Sequence, residues 1–341
     1  MRAAYYERTG PASAVFQIGE VDTPRPGPGE VLVRVMASGI NPSDTKKRAG
    51  WMRPPWRFER VIPHSDGAGV IEAAGSGVDR TRIGERVWLW NAQWGRATGT
   101  AAEFVALPAA QAVPLPESVS FIEGACIGIP ARTGWCAAQW GKPGPGRHVL
   151  VQGGAGAVGI TAVAVAAEAG AEVIATVSSD AKATMAHNAG AAHVLRRDQR
   201  DLVDAVAAIT AGKGVDHIVE VDFGANWQAD ADMLAPGGTV AAYSSSSTPR
   251  FSFDYYAFAA KAAVLRFVQV YLLEPEERAA CEAGLAPLLA SGRLKPRIAA
   301  CLPLEGIARA HELQESGYQI GNVVLDLALG LRRPILRADP R

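Results

Sequence analysis

The sequence predicts an α/β protein in which the middle of the chain forms a doubly wound parallel sheet and the two ends form a β-rich second unit. Three observations predict it. From Pro130 onward, short apolar runs (HVLVQGG, AEVIATV, DHIVEV, GGTVAAY) alternate with Ala-rich stretches of helical spacing (ITAVAVAAEAG, AKATMAHNAG, RDLVDAVAAIT). Continuous apolar runs mark strands buried on both faces, and strand–helix alternation requires right-handed crossovers. The first 120 residues have a different texture, with glycine-bounded strands and few helical signals. Third, one glycine-rich junction, VLVQGGAGAVGITAV at residues 149–163, joins a strand to a helix.

The elements follow in order. The turn cluster PRPGPGE precedes the strand VLVRVMAS, and GAGVIEAAGSG and GERVWLWN supply two more strands. Trp88 and Trp90 alternate on the last of these, so they share a face and are expected to pack in the core. After the alternating region come a charged helix (EPEERAACEAGLAPLLASG), a strand (KPRIAACLPL), a helix (GIARAHELQE) and a final strand (GNVVLDLAL). The expected division is 1–121 with 272–341 as one domain and 122–271 as the other. No internal repeat is present.

Composition narrows the function classes. The 341 residues carry a formal net charge of zero with 48% apolar and 20% charged residues. That balance gives no nucleic-acid footprint over the surface. Charged or turn residues interrupt every apolar run before membrane-span length, and MRAAYYERTGPAS lacks the apolar core of a signal peptide. A cytoplasmic protein is expected. Its four cysteines (Cys126, Cys136, Cys281, Cys301) form no CxxC pair and are read as reduced, buried small hydrophobes. The tail GLRRPILRADPR is basic and read as solvated.

The glycine pattern Gly154-Ala155-Gly156-Ala157-Val158-Gly159 sits between a strand at 148–152 and a helix opening at about Ala157. That is the context a dinucleotide site needs. One glycine makes the tight turn, the next admits a pyrophosphate, and the third lets helix and strand pack closely. The helix N-terminus offers its N–H groups and positive dipole end to the phosphates.

NAD sites place a carboxylate at the end of the second strand, on the ribose hydroxyls. Here that strand ends in Ser178-Ser179-Asp180, with Lys182 following. Hydroxyls and a lysine suit a 2′-phosphate. Asp180 is read as the N-cap of the next helix, the alternative being a displaced NAD carboxylate. The third strand ends in Arg196 and Arg197, one of which is expected to flank the same ribose. NADPH is the expected cofactor.

Residues 38–77 extend the pattern. GINPSDT, DGAGVIEAAG, GERV, AAEFVALP, EGACIGIPARTGW, QGGAGAVG and GNVVLDL, in this order and spacing, resemble the medium-chain dehydrogenase/reductase superfamily. Within it they are similar to the zinc-free, zeta-crystallin-like quinone oxidoreductase branch. The resemblance implies a Rossmann cofactor domain and a GroES-like catalytic domain. Zinc members carry a cysteine where Asn41 stands and His-Glu where Ser65-Asp66 stand, and this chain has no Cys/His set with ligand spacing. It therefore implies no metal, and hydride transfer to an acceptor that is already electrophilic, a quinone or an enone. His64 is read as a hydrogen-bonded loop histidine.

The resemblance further implies cofactor contacts at the loop residues Gly154 to Gly159, at Ser178, Lys182 and Arg197, and at Asn226. It places the nicotinamide end beside Ala242, Tyr243, Ser244, Ser245, Val268, Gln269 and Val270. Asn41, Lys46 and Thr133 are the residues it puts near the reacting carbon. The family commonly has tyrosine where Lys46 stands. Lys46 either binds a phosphate or an anionic acceptor, or points into solvent. Trp51 and Trp56, in AGWMRPPWRFER, either wall a flat conjugated substrate or are ordinary loop residues. Two alternatives stay open: a zinc-free reductase of enoyl or acrylate-type carboxylates, and a non-enzymatic NADPH-binding structural or RNA-binding relative. A small-molecule substrate and a homodimer or homotetramer are expected, with neither nucleic-acid nor membrane partners.

Overall fold

The computed structural model describes residues 1–51 and 58–328. The chain folds as two compact units, Met1–Ile129 with the segment from Pro296 on, and Pro130–Lys295.

In the first unit, β1 (Arg2–Tyr5) and β2 (Gln17–Glu20) form an antiparallel pair. The main sheet is built from β3 (Glu30–Ile40), β4 (Asp66–Ala74), β5 (Arg86–Leu89), β6 (Phe104–Pro108) and β7 (Ala112–Pro114). Along β3, Val31, Val33 and Val35 point into the core while Arg34 faces solvent and pairs with Glu72 of β4. That period of two is the signature of a sheet with one wet face. It breaks at Ala37–Ile40, where every residue is buried. Gly39 is obligatory there, since a Cβ would lie 1.9 Å from the Ala125 carbonyl oxygen.

The second unit is a six-stranded, all-parallel sheet: β8 (His148–Val151), β9 (Glu172–Val177), β10 (His193–Arg196), β11 (Val215–Glu220), β12 (Leu234–Ala242) and β13 (Val264–Phe267), in the order β10-β9-β8-β11-β12-β13. Strand order reverses between β8 and β11. In such sheets the carboxyl ends of the strands at the reversal form the ligand crevice. The first unit is then completed by β14 (Ile298–Leu302) and β15 (Asn322–Asp326), with β15 pairing on β3.

The units divide at 129/130 and 295/296, whereas the sequence reading places the boundaries at 121/122 and 271/272. The later division has a packing reason. Helix Pro275–Ala290 lies against helix Arg132–Gln139, with the Trp135 indole so close that a Cβ on Gly284 would lie 2.3 Å from its nitrogen. Trp90 lies beyond the end of β5 rather than on it, although both tryptophans are buried. Helix Pro42–Ala49 has no apolar stripe to betray it. Its buried face is Asp44, Thr45, Lys47 and Arg48.

Candidate functional site

In the nucleotide unit the turn after β8 is built from three kinds of glycine. The left-handed residue is Gly153 (φ 69°), so the tight turn falls one position before the Gly154 expected to make it. Gly154 instead lets the turn lie against β9, as a Cβ there would meet the Ala175 methyl at 2.6 Å. Gly159 is the close-packing residue, since its Cβ would lie 2.2 Å from the Gly153 carbonyl oxygen. Gly156 is the N-cap of helix Ala157–Glu168, and no side chain caps it. The N–H groups of Ala157 and Val158 have no helical acceptor, and they make this end an anion seat.

At the end of β9, Lys182 Nζ donates to Ser178 Oγ at 3.0 Å. The N-cap of helix Asp180–Asn188 is Ser179, whose Oγ accepts from Lys182 N. That corrects the capping role expected of Asp180, whose exposed carboxylate pairs with Arg196 (3.3 Å). Arg196 is also held by Asp198. Arg197 is exposed, and its backbone N donates to Val177 O at 2.9 Å, while its guanidinium makes no hydrogen bond or salt bridge among the described residues.

The other expected contacts meet at the carboxyl ends of β11 to β13. Asn226, in helix Phe223–Met233, donates from Nδ2 to Glu220 Oε1 at 2.9 Å. The backbone of Tyr243 donates to Glu220 O and that of Phe223 to Ser244 O. Ser245 Oγ accepts from Gly224 N, and Val268 N donates to Ala242 O at 2.8 Å. Gln269 and Val270 follow directly, with Val270 buried. Thr133 is the second residue of helix Arg132–Gln139, whose N-cap position is Ala131, so Thr133 does not cap it.

In the first unit the site is a buried polar cluster. Asn41 ends β3's buried run and opens helix Pro42–Ala49, with Asp44 Oδ2 accepting from Asn41 N at 2.9 Å. Asn41 Nδ2 donates to Asp66 Oδ2 at 2.8 Å, and the same oxygen accepts from Ile129 N. Gly128 makes room, because a Cβ there would lie 2.2 Å from Asp66 Oδ1. Lys46 is half-buried, its ammonium 4.5 Å from the centre of the Trp51 ring.

The neighbouring Lys47 is the residue that sequence reasoning missed. It is 5% exposed, its Nζ donates to Gln93 Oε1 at 2.9 Å, and it lies among Asp44 and Asp66. Burial pulls its pKa down while those two carboxylates oppose the shift. Burial likewise pushes Asp44 up to about 6. The missed signal was the second lysine in a short polar helix, which reads as solvent-facing until the helix is seen to be covered.

Beside this cluster His64 takes a left-handed conformation (φ 77°) and is fully buried. Its Nδ1 pairs with Ser38 Oγ at 2.8 Å and its Nε2 with His311 Nε2 at 2.9 Å. Cys126, Cys136 and Cys281 are buried, but Cys301 is exposed, against the expectation for all four. It sits on β14, where alternate residues face solvent. Trp56, the arginines beside it and the basic tail from residue 329 lie outside the described residues. Among the described residues there is no group of three His, Cys, Asp or Glu able to hold a metal, and no helix is long and apolar enough to cross a membrane.

Comparison with known proteins agrees with this architecture. Residues 27–117 match the alcohol dehydrogenase GroES-like domain, and residues 157–282 match the family described as zinc-binding dehydrogenase. The quinone oxidoreductase of Rattus norvegicus is 31% identical over 94% of this chain and 95% of its own. A mycobacterial protein solved in complex with NADPH is 28% identical with a TM-score of 0.82, covering 95% of this chain and 99% of that one. A 2-haloacrylate reductase structure is 27% identical with a TM-score of 0.82 and the same coverage. The buried-strand pattern, the glycine turn and these full-length likenesses agree, and the chain belongs to the quinone oxidoreductase family of the medium-chain dehydrogenase/reductase superfamily.

Proposed function

We propose that the protein is an NADPH-dependent, metal-free oxidoreductase that reduces a quinone or the activated double bond of an enone. The observation that carries the cofactor reading is the Ser178–Lys182 pair at the end of β9, which presents a hydroxyl and an ammonium where NAD-specific sites place a carboxylate. Arg197, with its guanidinium exposed, adds a second cation. Gly154 to Gly159 and the open helix edge at Ala157 and Val158 would hold the pyrophosphate. Asn226, Ala242 to Ser245 and Val268 to Val270 would border the nicotinamide end.

A zinc ion does not fit the first unit's cluster. At the positions of the zinc ligands, the Asn41 amide directs a hydrogen at Asp66, and the Lys47 ammonium among these carboxylates opposes a second cation. Bound to the nucleotide unit, the reduced nicotinamide would supply the hydride. Asn41 would orient the acceptor, Lys46 would neutralise the negative charge that develops on it as hydride adds, Thr133 would border the nicotinamide, and the protein lowers the barrier by positioning.

A second reading, reduction of the double bond of an acrylate-type carboxylate, is favoured by the half-buried cation Lys46, which would pair with the carboxylate. The 2-haloacrylate reductase likeness supports it. A non-enzymatic RNA-binding role has no support in the neutral charge balance. The edge strand β13 exposes Val264 and Phe267, and we propose it as a homodimer seam, in a dimer or tetramer of a cytoplasmic enzyme. Steady-state turnover of NADPH and NADH with a panel of quinones, enones and enoates tests the reading, alongside elemental analysis. Stoichiometric zinc whose removal abolishes activity overturns the metal-free assignment.

A further inference from the structure

In the nucleotide unit, Glu220 and Asp230 face each other with no basic residue between them, and we propose that they share a single proton that ties the glycine turn to the ends of β11 and β12. The inference rests on the dinucleotide-site reading above and assigns two positioning residues beneath that site.

Donor directions compel the proton. Gly153 N donates to Thr176 Oγ1 at 3.0 Å, and the Thr176 hydroxyl donates to Gln152 Oε1 at 2.7 Å. Gln152 Nε2 then donates to Asp230 Oδ1 at 3.1 Å. From the other side, Glu220 Oε1 accepts from Asp222 N and from Asn226 Nδ2. This leaves Asp230 Oδ2 and Glu220 Oε2, both buried and without a conventional donor.

Asn226, which donates to Glu220, and Asp230 lie one turn apart on helix Phe223–Met233, which brings the two carboxyl groups within reach of each other. Two carboxylates offer only acceptors, so a bond between them exists only when one of them is protonated. Both residues are 0% exposed, and a doubly ionised pair at this depth would carry an uncompensated repulsion. The proton belongs on Asp230, because Glu220 is the carboxylate already stabilised by a backbone N–H and an amide donor. Burial raises both groups, and their mutual bond raises Asp230 while lowering Glu220.

The remaining neighbours add no positive charge. The Asp222 carboxylate, which accepts from Ser247 N, lies close to Glu220, and the buried Tyr243 hydroxyl is pushed up by burial and by Glu220. The result is a continuous hydrogen-bonded path from the left-handed Gly153 to Asn226. Its one replaceable link is a proton, so the turn that would seat the pyrophosphate and the strand ends that would seat the nicotinamide are held in one register.

Infrared absorption of the cofactor-free protein at mildly alkaline pH tests the proton directly. Wild type is expected to show a protonated-carboxyl stretch that shifts in heavy water and is absent from Asp230→Asn. No such band in wild type, or one that survives in Asp230→Asn, overturns the shared proton.

Binding tests the positioning role. Asp230→Ala is expected to weaken NADPH binding, measured by fluorescence titration, about tenfold or more. Asp230→Asn, whose amide hydrogen replaces the proton, recovers affinity to within about threefold of wild type, and Glu220→Gln does likewise. The double amide variant turns donor against donor and loses more than the two singles combined. Asp230→Ala that binds NADPH as wild type does, while remaining folded by near-ultraviolet circular dichroism, overturns the role. Wild type that binds neither NADPH nor NADH overturns the cofactor reading instead, and the infrared result still decides the proton.

Discussion

The two units solve the problem of a polar site in opposite ways. In the proposed reading the nucleotide unit would seat its ligand with backbone, where Gly153 turns, Gly156 exposes helix N–H groups and Gly159 packs, and its polar side chains Ser178, Lys182 and Arg197 stay near solvent. The catalytic unit buries its charges, with Asn41, Asp44, Lys47 and Asp66 all nearly inaccessible. A backbone site depends on sterics and tolerates changes of charge, whereas a buried-charge site depends on each partner being present. The same substitution size should therefore cost stability in one unit and ligand affinity in the other.

The largest expected effect breaks the buried cluster. Lys47→Met leaves Asp44 and Asp66 without their cation, and removing one partner of a buried pair costs about 3–5 kcal/mol. Urea unfolding should show that loss, and adding Asp44→Asn should recover part of it. A Lys47→Met protein as stable as wild type would mean the ammonium is not the cluster's counter-charge.

Next come the glycines of the backbone site. Gly159→Ala drives a methyl into the Gly153 carbonyl and should cost about 1–3 kcal/mol together with NADPH binding. Gly156→Ala has more room, its nearest contact being that same oxygen at 3.3 Å. It should leave the melting temperature nearly unchanged while weakening NADPH. Equal thermal losses in the two variants would remove the distinction between packing and approach.

Cofactor choice follows. A charge-assisted contact contributes about 1.5–3 kcal/mol, and two of them, discounted for exposure, should favour NADPH over NADH by about 10²-fold. Arg197→Ala should raise KM for NADPH and leave that for NADH nearly unchanged, and Ser178→Asp should reverse the preference. If Asp180→Ala selectively harms NADH, the exposed carboxylate is a ribose ligand and the assignment fails.

The pH response separates the units more gently. Burial lowers His64 to about 3 and His217 to about 4, and holds His311 well below its usual value. A histidine depressed on folding contributes stability above its unfolded value near 6.5, lost as pH falls through the folded one. Asp44, raised to about 6, has the opposite sign, and its contribution disappears as pH climbs through that value. In the catalytic unit the buried His64 and His311 outweigh Asp44, so its stability should decline on acidification below about 6.5. In the nucleotide unit Asp230 and Glu220, both raised by burial, oppose the effect of His217. Two of the three histidines lie in the catalytic unit. Hydrogen exchange at low pH should therefore open it first, and opening of the nucleotide unit first would contradict the account.

The smallest effect concerns thiols. Alkylation under native conditions should reach the exposed Cys301 alone and leave turnover almost intact. Rapid inactivation that bound cofactor does not prevent would show that a buried cysteine matters.

Sequence by itself determined the parallel sheet, the glycine turn and the family. Those features rest on local rules: apolar runs for two-faced burial, small residues where backbone must approach backbone, and a fixed order of motifs. It placed Ser178, Lys182 and Arg197 near strand ends because strand ends are legible from period and turn residues. Only the tertiary structure decided that Gly153 and not Gly154 adopts the left-handed turn, since a Gly-Gly pair leaves the choice to what packs behind it, here Ala175 of β9. It alone decided that Lys47 is buried while Lys46 is half-exposed. Adjacent residues on a helix differ by about 100°, and which of two lysines faces inward depends on where the cover comes from. It also decided that Glu220 and Asp230 meet. Ten positions apart, on a strand end and the following helix, they carry no pattern that announces a shared proton, because charge pairing inside a fold is set by distance in space.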